Sequence, residues 1–61
     1  MLKDIIKNCK KHNIIYKDGK FLLGGKEIKQ EEFLRIFSAI KFKYGIEEAI
    51  NRTKMYFLYE R

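Results

Sequence analysis

Asp18-Gly19 sits between two short apolar runs, Ile14-Ile15-Tyr16 and Phe21-Leu22-Leu23, and this arrangement limits the fold more than any other feature of the chain. Asp-Gly between strand-forming residues is the strongest short signal for a two-residue hairpin, because both turn residues must take positive φ. Such a loop leaves one register: Lys17 opposite Lys20, Tyr16 opposite Phe21, Ile15 opposite Leu22 and Ile14 opposite Leu23. One face then carries Ile14, Tyr16, Phe21 and Leu23, and the other carries Ile15 and Leu22 with two lysines at its tip. Both faces are apolar near the base. The expectation is therefore helices on one side and a second subunit on the other.

Helical spacing flanks the hairpin. Leu2, Ile5, Ile6 and Cys9 recur at i, i+3, i+4, i+7, with Asp4 early and Lys10 and Lys11 late, matching the helix dipole, and Asn13 is placed to end the turn. Gly24 and Gly25 break the second strand, and residues 26–28 read either as a short third strand or as a lead into the next helix. From about Gln30, Phe33, Ile36, Phe37, Ile40 and Tyr44 line one helical stripe that Gly45 stops. A third helix begins at Ile46, with Ala49, Ile50, Thr53 and Phe57 on its stripe and Glu47 and Glu48 in its first turn. Residues 1–61 thus read as a single α+β domain: an N-terminal helix, a β-hairpin, then two C-terminal helices packed on one sheet face.

A chain of 61 residues buries only about 60% of its unfolded surface, so its core needs support. Cys9 is the only cysteine, which rules out an intrachain disulfide, and one Cys with one His is too few ligands for zinc. Yet 46% of the residues are apolar and 15% aromatic, more than one small core absorbs. The surplus predicts a homodimer or larger assembly. Its interface residues would be Ile15 and Leu22 on the second hairpin face, Phe42 off the core stripe of its helix, and Met55, Leu58 and Tyr59 in a tail that is apolar all round.

Chemistry-bearing residues are sparse. Cys9 and His12 are helix neighbours, but Cys9 lies on the apolar stripe and a helix C-terminus does not activate a thiol, so the pair reads as a core cysteine and a surface histidine. Glu31/Glu32 and Glu47/Glu48 are consecutive and sit where helix dipoles favour acids, which is a structural placement. These readings predict a non-enzymatic protein with no metal and no cofactor. No apolar stretch approaches the roughly 20 residues that cross a bilayer, and no secretory leader pattern opens the sequence, so the expected setting is cytoplasmic.

The net charge is +6 and the isoelectric point about 9.6. Eleven of the fourteen cations are lysine, in a composition that AT-rich coding also produces, so only part of this excess argues for an anionic partner. The charge is uneven: residues 1–29 hold eight lysines against three acids, net +5, whereas residues 30–61 hold six basic residues against five acids, net +1. Lys3, Lys7, Lys10 and Lys11 on the first helix, with Lys17, Lys20, Lys26 and Lys29 after it, could frame an anion, with Tyr16 or Phe21 available for stacking and Gly24-Gly25 supplying backbone amides. The leading expectation is a small protein that sequesters a nucleotide-like anion or blocks a host protein, as accessory proteins of phages and mobile elements do. The alternatives are a basic nucleic-acid-binding regulator and a structural or assembly protein. A helix-turn-helix reader fits poorly, since its recognition helix would open with Glu47 and Glu48.

Overall fold

A computed structural model describes residues 2–60, with the side chain of Glu60 outside the description. The chain runs α1 (Leu2–Lys11), β1 (Ile15–Lys17), β2 (Lys20–Leu23), β3 (Lys26–Lys29), α2 (Gln30–Tyr44) and α3 (Ile46–Met55), closing in a π-helical turn, Tyr56–Glu60. The three strands form an antiparallel meander in the order β1-β2-β3, and the helices pack on one of its faces.

The hairpin register is the one that the two-residue loop dictates: Ile15 pairs with Leu22, Tyr16 with Phe21 and Lys17 with Lys20. Asp18 and Gly19 have φ of 51° and 73°, the signature of a type I′ turn, whose twist matches that of the strands it joins. Residues 26–28, which pattern alone left open, belong to β3. Gly24-Gly25 repeats the same turn, with φ of 56° and 81°, and reverses the chain so that Phe21 pairs with Ile28, Leu22 with Glu27 and Lys20 with Lys29. Gln30 then donates its backbone N–H to the Gly19 carbonyl at 3.0 Å, tying the start of α2 to the first turn.

Alternation decides what each face presents. Phe21, Leu23 and Ile28 point inward and are buried, together with Ile14 just before β1. The helices meet them with Ile5 and Cys9 of α1, Phe33 and Phe37 of α2, and Ala49, Ile50 and Thr53 of α3, followed by Phe57. Phe33 is central to this core. Its ring stacks on Phe21 with centroids 4.1 Å apart and on Phe57 at 6.1 Å, joining sheet, α2 and the C-terminal turn.

The C-terminal turn explains part of the apolar tail. Widening the helix from i+4 to i+5 hydrogen bonding changes the phase of its side chains. Phe57 enters the core and Leu58 lies over the Gly24-Gly25 turn, where a Cβ on Gly24 would meet Leu58 Cδ2 at 2.7 Å. Leu58 is thus partly covered by its own chain.

Gly45 joins α2 to α3 without any loop. Its φ of 90° and ψ of 173° lie in a region that only glycine occupies comfortably, and its N–H donates to Lys41 O while its carbonyl accepts from Ala49 N. Gly45→Ala should therefore lower stability by about 1–3 kcal/mol through backbone strain alone, since no atom lies within 4 Å of the added Cβ. A urea titration would show this as a lower midpoint with an unchanged slope.

Candidate functional site

The sheet face away from the helices is built by the same alternation that fills the core. Ile15, Lys17, Lys20, Leu22, Glu27 and Lys29 are its side chains, and the register sorts them into two rows. Ile15, Leu22 and Glu27 form one row, and Lys17, Lys20 and Lys29 form the other. Like charges directly opposite on neighbouring strands oppose folding by about 0.2–1 kcal/mol per pair. Here two such pairs share Lys20.

Relief for this row is partial. Lys20 Nζ lies 3.2 Å from Glu27 Oε1, a diagonal pair with side chains 47% and 64% exposed. An ion pair that wet contributes at most about 1 kcal/mol. Among the described residues, Lys17 and Lys29 have no ion pair. A shallow pocket of about 230 Å³ opens beside the row, lined by Lys17, Asp18, Lys20, Leu22 and Glu27.

The other cationic and aromatic candidates are placed elsewhere. Tyr16 points to the helix side, where its hydroxyl donates to Gln30 Oε1 and its ring meets Phe21 edge-on at 5.0 Å. It cannot share a ligand with Lys17 and Lys20 across the sheet. Lys26 also points inward and donates to the Phe57 carbonyl at 2.8 Å, closing the π-helical turn. Gly24 and Gly25 form a hairpin turn between two strands, so their amides do not lead into a helix N-terminus. Lys10 and Lys11 are exposed at the end of α1, which packs on β1 and α3. Lys29, one of the lysines expected to frame the anion, joins Lys17 and Lys20 in the row because β3 exists. Alternation from Ile28 puts its side chain on the open face once residues 26–29 are a strand.

A second concavity of about 450 Å³ lies between α2 and α3, lined by Ile40, Tyr44, Glu48, Asn51, Arg52, Met55 and Tyr56. Its charge is already engaged. The Arg52 guanidinium lies 4.0 Å from the Tyr44 ring centroid while its Nε donates to Glu48 Oε2 at 2.9 Å. Of the expected interface side chains, Met55, 46% exposed, lines this groove, and Tyr59, 73% exposed, stands in the C-terminal turn. Phe42 is 96% exposed, since it projects roughly 180° around α2 from Phe33. Ile15 and Leu22 remain on the open sheet face, half exposed and partly buried respectively.

The nucleophile candidates are structural in their surroundings. His12 is half-buried rather than on the surface, because the chain turns back at Asn13 and Lys54 Nζ donates to the His12 carbonyl at 2.8 Å. His12 Nε2 and Thr53 Oγ1 are buried without a hydrogen-bond partner. Among the described residues, no three His, Cys, Asp or Glu side chains gather as metal ligands, and no helix is long and apolar enough to cross a membrane.

Burial pushes the Cys9 thiol up from 9.0 to about 11. The folded chain keeps this proton at pH values where the unfolded chain releases it, so the group's contribution is intact below about pH 9 and declines as pH rises toward 11. Cys9→Ala should flatten that decline, measured as the difference in urea stability between the two chains from pH 8 to 11. No protein-family model, curated protein or solved structure matches this chain.

Proposed function

We propose that this chain is a non-catalytic binding protein that holds an anionic partner on the open face of its sheet, in a reducing, cytoplasmic setting. The observation that carries the reading is the row Lys17-Lys20-Lys29, three like charges in register, of which, among the described residues, Lys20 alone is ion-paired, to Glu27, while Asp18 borders the same pocket. An anion laid along that row replaces mutual repulsion with attraction, and the uncovered face leaves room for it. The charge asymmetry, net +5 over residues 1–29, brings such a partner to this half of the molecule.

Self-association fits the same reading through the helical side. Stacking two open sheet faces would press six lysines together, whereas Phe42 and Tyr59 offer exposed aromatic surface away from that row. Phe42→Glu should reduce the mass of any oligomer in sedimentation without moving the urea midpoint, because the side chain is 96% exposed and supports little of the fold. An unchanged mass would place the self-contact elsewhere. Leu58 is a poorer probe, since it also packs on Gly24.

The anion reading is tested with the triple substitution Lys17→Gln, Lys20→Gln and Lys29→Gln. A control of equal charge, Lys3→Gln, Lys7→Gln and Lys10→Gln, changes the exposed side of α1. Fluorescence anisotropy with a labelled nucleoside triphosphate and a labelled oligonucleotide should show at least about tenfold weaker binding for the sheet triple, with a much smaller loss for the control. Equal losses would mean that net charge alone attracts the anion, and the sheet face would lose its assignment.

The blocking of a host protein is the second reading, favoured by exposed apolar side chains on the helical side: Phe42, 96% exposed on the outer side of α2, and Met55 and Tyr44 in the α2–α3 groove. Aromatic side chains anchor protein interfaces more often than lysines do.

A further inference from the structure

We infer that the anion taken by the open face is the phosphate backbone of single-stranded nucleic acid, bound without sequence discrimination; this rests on the anion-binding reading above and specifies its partner. The first argument is shape. Lys17, Lys20 and Lys29 lie on three adjacent strands, so with strands about 4.8 Å apart their backbones span roughly 10 Å in a line. A compact phosphate is best held by convergent donors such as clustered backbone amides or an arginine fork. This face has no arginine, and the Gly24-Gly25 amides belong to a hairpin turn away from the row.

The second argument is that both ends of the row are open. β1 and β3 are edge strands of the sheet, so a linear polyanion can enter across one edge and leave across the other. Charges along one nucleic-acid strand repeat at about 3.4 Å of axial rise in a duplex and farther apart when the strand is stretched, a spacing that lysines on adjacent strands can follow.

The neighbouring row sets the strand state and the specificity. Ile15, 47% exposed, and Leu22 lie next to the lysines and offer apolar contact to an unpaired base, which a paired base inside a duplex cannot reach. Glu27 at the end of that row repels phosphate and Asp18 does so from the turn beyond Lys17 and Lys20, so the backbone is confined to the lysine row between them. The face carries no Asn, Gln or Arg to read base edges and no aromatic ring to stack on them, since Tyr16 and Phe21 both face the helices. Contact is therefore made by charge, with affinity in the range of non-specific binding, about 10⁻⁴ to 10⁻⁶ M.

The test is anisotropy of labelled 20-mers of dT, dA and dC, a duplex of mixed sequence, and inorganic phosphate and a nucleoside triphosphate as competitors, each over a salt series. The expected result is micromolar binding to all three homopolymers within a few-fold of one another. The slope of log affinity against log salt attributable to the row should be about −2, for three phosphates at roughly 0.7 each, and should vanish in the sheet triple substitution. Tighter binding of the duplex would overturn the single-strand assignment. Preference for one homopolymer by more than about 100-fold would overturn sequence independence. Binding of only the compact anions, lost in the sheet triple, would overturn the nucleic-acid partner while leaving the anion reading in place. Binding of none of these probes would overturn both. The substituted lysines are exposed and mutually repulsive, so the triple chain should fold at least as well as the parent, and its circular dichroism and urea midpoint confirm that a loss of binding is not a loss of structure.

Discussion

The stacking of Phe33 on Phe21 and Phe57 is the contact on which the rest of this small structure depends. Phe21 stands on the central strand, Phe33 on the first turn of α2 and Phe57 in the C-terminal π-helical turn, so one ring holds three segments that are remote in sequence. Phe37 extends the array one turn further along α2, at 6.4 Å from Phe33. Near-parallel aromatic contacts of this sort add about 0.5–1.5 kcal/mol each beyond the area they bury. For a chain of this length, whose whole stability is about 3–9 kcal/mol, a few such contacts are a large share.

Concentrating the aromatic residues in one layer has a consequence for the other side of the sheet. The three helices and the C-terminal turn cover the face of Phe21, Leu23 and Ile28, and among the described residues none packs over Ile15, Leu22 and the lysine row. Lysines are suited to such a face because solvent screens their repulsion and their flexible stems keep the charged ends wet. The cationic surface and the buried core are therefore two products of the same strand alternation. An anionic partner on that surface would meet a rigid sheet rather than a mobile loop, which lowers the ordering cost of the contact.

The helical side has a different character. In the α2–α3 groove, Arg52 is shared between the Tyr44 ring and Glu48, so its charge is spent within the chain, while Phe42 on the far side of α2 is left almost wholly in solvent. Exposed apolar side chains thus stand on the helical side, and the lysine row stands on the open sheet face. The buried Thr53 hydroxyl and His12 Nε2, both without partners, show that the α1–α3 side is less well satisfied than the aromatic core.

Local pattern determined much of this protein. Asp18-Gly19 dictates a turn with positive φ at both residues, and that turn sets which residues pair; the apolar stripes through Ile5 and Cys9, Phe33 and Phe37, and Ala49, Ile50 and Thr53 identify the inward faces of the helices. These are signals carried by residues within a few positions of one another, where sterics and periodicity act directly. Tertiary structure decided the rest. Whether residues 26–29 extend the sheet depends on pairing with β2, and that pairing alone adds Lys29 to Lys17 and Lys20. Lys26 looked equivalent to the other lysines, yet a carbonyl 31 positions away takes its ammonium, and Tyr16 is claimed by Gln30. Lysine and tyrosine carry no mark of which partner will reach them, because that choice is made by contacts between distant segments once the core has brought them together.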